Sequence, residues 1–296
     1  MNSIRSDFRH CPALPHIFMR LIVAAVVAVV PPALRAQEVR KEGPKKEENK
    51  KEEPKKEEPK KEEAERYLQF SRRGYVELQK TRGIIDVNGS FTIEVWVRWS
   101  DKSIKSQFIC GDGAHANLPE IPVNKNSGWQ LVAGDVEDAD YRRITLIIGR
   151  SVKGKEEWFP VQTSPMKGTD GKWHHIAVSK SPTMIRIFWN GKLAAEKNCA
   201  GLKFNGCPSD FYLGTRKGAH GIWGFEGDIR AFRAYSKAVY TKAFKPEGVF
   251  QKNGTEEICL DFTGDDTEKI LDLSGKDHIG LLNDVNWVQI RKLENK

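Results

Sequence analysis

The sequence predicts an all-β architecture for residues 66–296, two antiparallel sheets packed face to face as a jelly-roll sandwich. Three observations lead to it. Short runs rich in Val, Ile, Phe and Trp recur at near-regular spacing and alternate apolar with polar residues; Gly, Asn, Asp and Lys separate them; helical periodicity is confined to one short stretch. No blade-like repeat is present, which argues against a propeller.

The chain ahead of residue 66 is built differently. Arg5, Arg9 and Arg20 lead into an unbroken apolar run from Leu21 to Val30, then Pro31, Pro32 and a stretch ending at Ala36. That order predicts a signal peptide over 1–36, because the ten apolar residues reach only about 15 Å as a helix, half of a hydrocarbon core. A retained membrane anchor is the alternative, and only in that case is a membrane a partner. Residues 37–65 repeat a five-residue unit, as in Pro54-Lys55-Lys56-Glu57-Glu58 and Pro59-Lys60-Lys61-Glu62-Glu63. Pro54 and Pro59 each remove a helical donor, and the repeats hold nothing apolar to collapse on, so a disordered, extended, charged linker is expected. One domain, 66–296, then follows, in a chain expected to be secreted, periplasmic or at the cell surface.

Strands are expected first at 67–70 and 74–78. Phe91–Trp99 alternates so that Phe91, Ile93, Val95, Val97 and Trp99 share one face and Thr92, Glu94, Trp96 and Arg98 the other. Runs at 106–111, 128–134, 143–149 and 173–180 continue the pattern. Met184 to Trp189 is followed by Asn190-Gly191 and then Lys192-Leu193-Ala194-Ala195, which predicts a hairpin with a two-residue turn. Strands at 210–214 and 226–235 precede a short helix near 237–245, where Ala238, Tyr240, Thr241 and Phe244 have helical spacing before Pro246. Runs at 257–263 and 286–290 close the domain.

Several of these segments are similar to the laminin-G-like branch of the concanavalin A-like lectin and glucanase superfamily. The motifs are Leu68-Gln69-Phe70 with Tyr75-Val76-Glu77-Leu78, Gly89-Ser90-Phe91-Thr92-Ile93-Glu94-Val95-Trp96-Val97, Gly171-Lys172-Trp173-His174-His175-Ile176-Ala177-Val178, and Phe211-Tyr212-Leu213-Gly214. Phe225-Glu226-Gly227-Asp228-Ile229-Arg230 through Tyr235 adds a fifth, and the resemblance extends from about Tyr67 to Trp287. It implies a concanavalin A-like sandwich with a binding role. Arg230 stands where the family carries an Asp that in relatives faces a structural calcium, and the Leu271-Asp272-Leu273-Ser274-Gly275 module follows the sandwich instead of preceding it.

Four aromatic residues in segments read as loops are the candidate ligand contacts: Trp129, Trp158, Trp223 and, beside the last, His220. Loop indoles can stack on sugar faces while their N–H groups stay available. Asp228, Asp272 and Asp277 are the candidate ligands for a calcium ion, against an Asx-capped turn at Ser274-Gly275. The acidic run Asp135–Asp140 reads as a solvated loop. His174 and His175 are strand neighbours, point to opposite faces and cannot share one ion from that strand.

Without Cys11, four cysteines remain, an even number that suggests disulfides in an exported protein. Cys199 with Cys207, across a short loop, leaves Cys110 with Cys259; buried free thiols are the alternative. Of the net charge of +8, +3 lies in 1–36 and −1 in 37–65, leaving +6 on 66–296 without a basic cluster, so nucleic acid is not an expected partner. No strand carries the paired carboxylates of the glucanases that share this fold, and no nucleophile-elbow sequence occurs. A non-catalytic binding module is therefore expected, with carbohydrate or an extracellular protein as partner and a glycoside hydrolase as the weakest option.

Overall fold

The computed structural model describes residues 65–100, 105–112, 126–134, 136–216, 223–262 and 269–290. Its regular elements are all strands: β1 Glu65–Gln79, β2 Phe91–Trp99, β3 Gln107–Gly111, β4 Trp129–Gly134, β5 Tyr141–Val152, β6 Lys155–Gln162, β7 Met166–Lys167 and β8 His174–Lys180. They continue with β9 Met184–Trp189, β10 Lys192–Asn198, β11 Phe211–Leu213, β12 Gly227–Tyr235, β13 Ile258–Asp261, β14 Lys269–Asp272 and β15 Ile279–Ile290.

The two expected layers form, but they are not separate sheets. Hydrogen bonds run unbroken along the order β10-β9-β8-β2-β12-β13-β14-β15-β1-β11-β3-β4-β5-β6. The register of β1 against β15 shifts between Phe70 and Tyr75. Before the shift β1 pairs with β12 at Leu68–Phe70; after it, β1 pairs with β11 at Val76–Leu78. One long irregular strand thus serves the back layer (β10, β9, β8, β2, β12) and the front layer (β11, β3, β4, β5, β6) in turn.

Strand alternation explains the core. Phe91, Ile93, Val95 and Val97 of β2 meet Trp129, Leu131 and Ala133 of β4 and Ile144, Leu146 and Ile148 of β5 in one buried cluster. Phe91 lies 6.4 Å from Trp129, ring to ring, and Phe70 6.0 Å from Phe225. Each large apolar side chain buried here contributes about 1.5–3 kcal/mol. The expected hairpin has Asn190 and Gly191 at φ of 49° and 75°, as a two-residue turn that follows strand twist requires. Gly214 has φ of 85°, and a Cβ there would meet the Phe70 ring at 2.2 Å, so glycine is required.

Three expectations are corrected. Residues 237–245 are not helical. Backbone donors that a helix would use internally are taken by the back layer: Val239 N–H donates to Thr92 Oγ1, Tyr240 N–H to Ser179 Oγ, and Phe244 N–H to the Gly191 carbonyl. The segment is an irregular strap laid across β2, β8 and the β9–β10 turn, and Tyr240 and Phe244 stack with ring centroids 3.6 Å apart. Second, Trp158 is not in a loop but in β6, which pairs with β5 alone in the strand ladder. Among the described strands β6 has a partner on one side only, where the donor that Pro160 lacks is tolerated.

Third, Cys110, Cys199, Cys207 and Cys259 are free and buried, so neither expected bridge forms. Cys110 faces the core between the layers, whereas Cys259 packs with Ala231 and Phe250 in a separate cluster. Cys199 Sγ is directed at the Ser181 and Pro182 carbonyls, 3.7 and 3.9 Å away. Burial pushes the Cys110 and Cys199 thiols above their ordinary pKa, as expected for inert thiols.

Candidate functional site

The outward residues of the front layer build a groove. On β4, Trp129, Leu131 and Ala133 point into the core, which turns Gln130 and Val132 outward; on β5 the same alternation turns Ile147 outward, and on β6 it turns Trp158 to the face opposite Phe159 and Val161. Lys105 and Ser106, just before β3, and Trp223, just before β12, complete the lining. The cavity measures ≈ 390 Å³. Val132 and Ile147 make its floor continuous with an apolar patch of Phe108, Tyr212 and Tyr75 on the neighbouring strands.

Trp223 is 51% exposed, the condition for an indole to meet a ligand, and Trp158 is half-buried. The Trp223 backbone is held, because its carbonyl accepts from Phe108 N–H at 2.7 Å. Gln130 is only 2% exposed, and its Nε2 has no hydrogen-bond partner among the described residues. Arg216 places its guanidinium 5.7 Å from the Phe108 ring centroid beside this face. The mostly apolar lining with few polar groups is typical of small-molecule sites.

Of the four candidate contacts, Trp158 and Trp223 come together here. His220 lies outside the described residues. Trp129 is corrected: it is fully buried, packed 6.4 Å from Phe91 and edge-on to Phe211 at 5.3 Å, because it is an inward position of β4. Lys105, Ser106, Gln130, Val132 and Ile147 were not singled out from sequence, although the alternation of β4 already placed Gln130 and Val132 opposite Trp129.

The calcium candidates do not assemble: among the described residues, no three His, Cys, Asp or Glu side chains form a metal-sized cluster. Asp228 pairs with Arg98 at 2.8 Å. Burial raises its pKa against the opposing effect of that arginine. Asp272 accepts from Cys259 N–H (2.8 Å), Ser274 N–H (2.9 Å) and Ser274 Oγ (2.5 Å), and contacts His278 Nδ1 at 2.6 Å, which makes it a turn cap. Asp135 lies outside the described residues, and Asp138 caps Asp140 N–H at 2.9 Å.

The outer face of the back layer carries a buried polar network under the strap. Glu94, fully buried, accepts from Arg233 Nε at 2.7 Å, His175 Nε2 at 3.0 Å and Tyr240 Oη at 3.1 Å. Burial works to raise the Glu94 pKa, but bonds from His175 and Arg233 and their charges outweigh it and hold the carboxyl below its usual range. His174 turns the other way: it stacks on Trp189 at 4.6 Å and bonds Asp170 at 2.8 Å. Both histidines are thus engaged within the fold, although His175 Nδ1 has no hydrogen-bond partner among the described residues.

A family profile described as the concanavalin A-like lectin/glucanases superfamily matches residues 70–242, more than half of the sequence. The chain belongs to this superfamily. The concanavalin A-like fold is shared with a Bacteroides ovatus protein provisionally described as carbohydrate-binding, at 17% identity and a TM-score of 0.51 over 78% of this chain. The chain spans 61% of that protein's length. Other solved structures similar to the chain are a heptameric SAP-like pentraxin of Limulus polyphemus (11% identity, TM-score 0.44, 73% of this chain and 95% of that one) and the CBM40 of the Ruminococcus gnavus IT-sialidase bound to α2,6-sialyllactose (16%, 0.45, 60% and 94%). No curated protein matches the sequence.

Proposed function

We propose that this chain is an exported, non-catalytic carbohydrate-binding module, secreted, periplasmic or at the cell surface, whose front-layer groove takes a saccharide. The observation that carries the proposal is the convergence of Trp158 and Trp223 on one concave, mostly apolar lining. An indole offers a flat apolar area that matches the C–H face of a pyranose. The non-catalytic part is supported by the sequence, in which no strand carries the paired carboxylates that glycoside hydrolysis ordinarily requires. A carbohydrate role is also what the Bacteroides ovatus protein is provisionally described as having.

Pull-down on insoluble polysaccharides and a glycan array, with wild type, Trp223→Ala and Trp158→Ala, test the proposal. Binding by wild type that either substitution weakens at least about tenfold is the expected outcome. Binding unchanged in both variants, or no glycan bound by wild type, overturns it.

A further inference from the structure

We infer that the groove selects 6-deoxyhexoses, sugars of the rhamnose and fucose type, by seating their methyl group on an aliphatic floor made by Val132 and Ile147. This rests on the groove being the saccharide site and adds the chemical class of ligand.

Strand register sets the floor. β3, β4, β5 and β6 are consecutive neighbours, about 4.8 Å apart. Phe108 of β3 pairs with Val132 of β4, and its N–H holds the Trp223 carbonyl at 2.7 Å, which fixes the Trp223 backbone at the β3 side. Ile147 of β5 pairs with Gln130 of β4 and with Pro160 of β6. It is therefore one diagonal step from Val132 on one side and one from Trp158 on the other. The two aliphatic side chains thus occupy the two strands between the aromatic ones, and all four line the cavity.

Polar groups are kept off this floor. Gln130 is 2% exposed and adds almost no polar surface to it. Among the described lining residues, the other polar side chains besides the indoles are Lys105 and Ser106, which stand together at one end, just before β3. A pyranose stacked on an indole directs substituents of its ring edge at the floor. A hydroxymethyl group placed there leaves its hydroxyl among side chains that offer neither donor nor acceptor, a desolvation cost with no compensating bond. A 6-deoxyhexose carries a methyl group at the same carbon, and burying it against Val132 and Ile147 is favourable. An acetamido group also ends in a methyl, but it brings an N–H and a C=O that the floor leaves unpaired.

The test is calorimetric titration of the full chain with methyl glycosides that differ by one oxygen: α-L-rhamnoside against α-L-mannoside, and α-L-fucoside against α-L-galactoside. β-D-N-acetylglucosaminide against β-D-glucoside is a further arm, and the same pairs as terminal residues of array glycans cover ligands longer than one ring. Wild type is expected to bind at least one deoxy sugar about tenfold tighter than its counterpart, the scale set by one small group in an apolar pocket. Ile147→Thr puts a hydroxyl on the floor at a half-buried strand position that threonine suits. Its melting temperature should stay near that of wild type while the preference falls to about twofold. Val132→Thr alters the same floor from the neighbouring strand and should lose the preference likewise. Equal binding of the deoxy sugars and their counterparts, or a preference unaltered in both folded variants, overturns the inference. A hexose or acetamido sugar preferred in a Trp223-dependent way sinks the deoxy class and leaves the saccharide site standing; failure of every glycoside and every glycan sinks both.

Discussion

Replacing Arg233 by Met tests how the strap is held on the back layer. Arg233 is 2% exposed and bonds Glu94 through Nε at 2.7 Å and Nη2 at 3.2 Å, while its Nη1 reaches Glu247 at 2.8 Å. Methionine keeps much of the packing against Phe250, whose ring centroid lies 4.1 Å from the guanidinium carbon, but leaves the Glu94 carboxylate buried with His175 and Tyr240 alone. Breaking a buried pair on one side costs about 3–5 kcal/mol. For a domain of this size that corresponds to a loss of about 6–20 °C in Tm.

The pH dependence follows from the Glu94 carboxyl being held below its ordinary value of 4.5. A depressed folded pKa contributes stability that is present above the unfolded value and lost as pH falls through the folded one. Removing Arg233 removes that contribution, so the gap between variant and wild type is expected to persist from pH 7 down to about 4.5 and to narrow as pH falls below it. Circular dichroism melts across that range measure it. A drop below about 3 °C at pH 7, or a gap that does not change with pH, means that Arg233 does not hold Glu94 as described.

Two further predictions concern buried groups. Burial pushes Asp112 up to about 8, against the opposing bond from Trp129 N–H. Its contribution to stability is therefore full below the unfolded value of 3.8 and lost as pH rises through about 8, so Asp112→Asn should flatten that decline in a Tm–pH series; an unchanged slope contradicts it. Cys110, Cys199, Cys207 and Cys259 should resist alkylation in the native protein and all take up N-ethylmaleimide in denaturant without prior reduction, read by peptide mass spectrometry; an unmodified, disulfide-linked pair would contradict the free-thiol state.

Much of the fold was legible because β2, β8 and β9 carry strong alternation and Asn190-Gly191 allows one kind of turn. Local pattern failed where a tertiary partner decided the outcome. Helical spacing at Ala238, Tyr240 and Phe244 lost to Thr92, Ser179 and Gly191, which take the strap's backbone donors. β6 went unread because its place at one end of the strand order, where Pro160 is tolerated, is set by tertiary pairing and not by local pattern. At the site, exposed Trp223 and partly exposed Trp158 were recognisable as aromatics, but Trp129 was misplaced by its neighbour Gly128, and nothing in the sequence marks Gln130 as an unpaired donor. The disulfides failed for a related reason: an even cysteine count says nothing about which side of a sheet each thiol faces.

Everything functional depends on a saccharide meeting the front-layer groove. Two-dimensional NMR of the indole N–H signals during titration with an oligosaccharide of a bound glycan reports on this residue by residue. The Trp158 and Trp223 signals are expected to shift with saturation while those of buried Trp129 and Trp99 stay in place. Saturable shifts at other residues, with Trp158 and Trp223 unmoved, would place the ligand elsewhere and contradict the groove as the binding site.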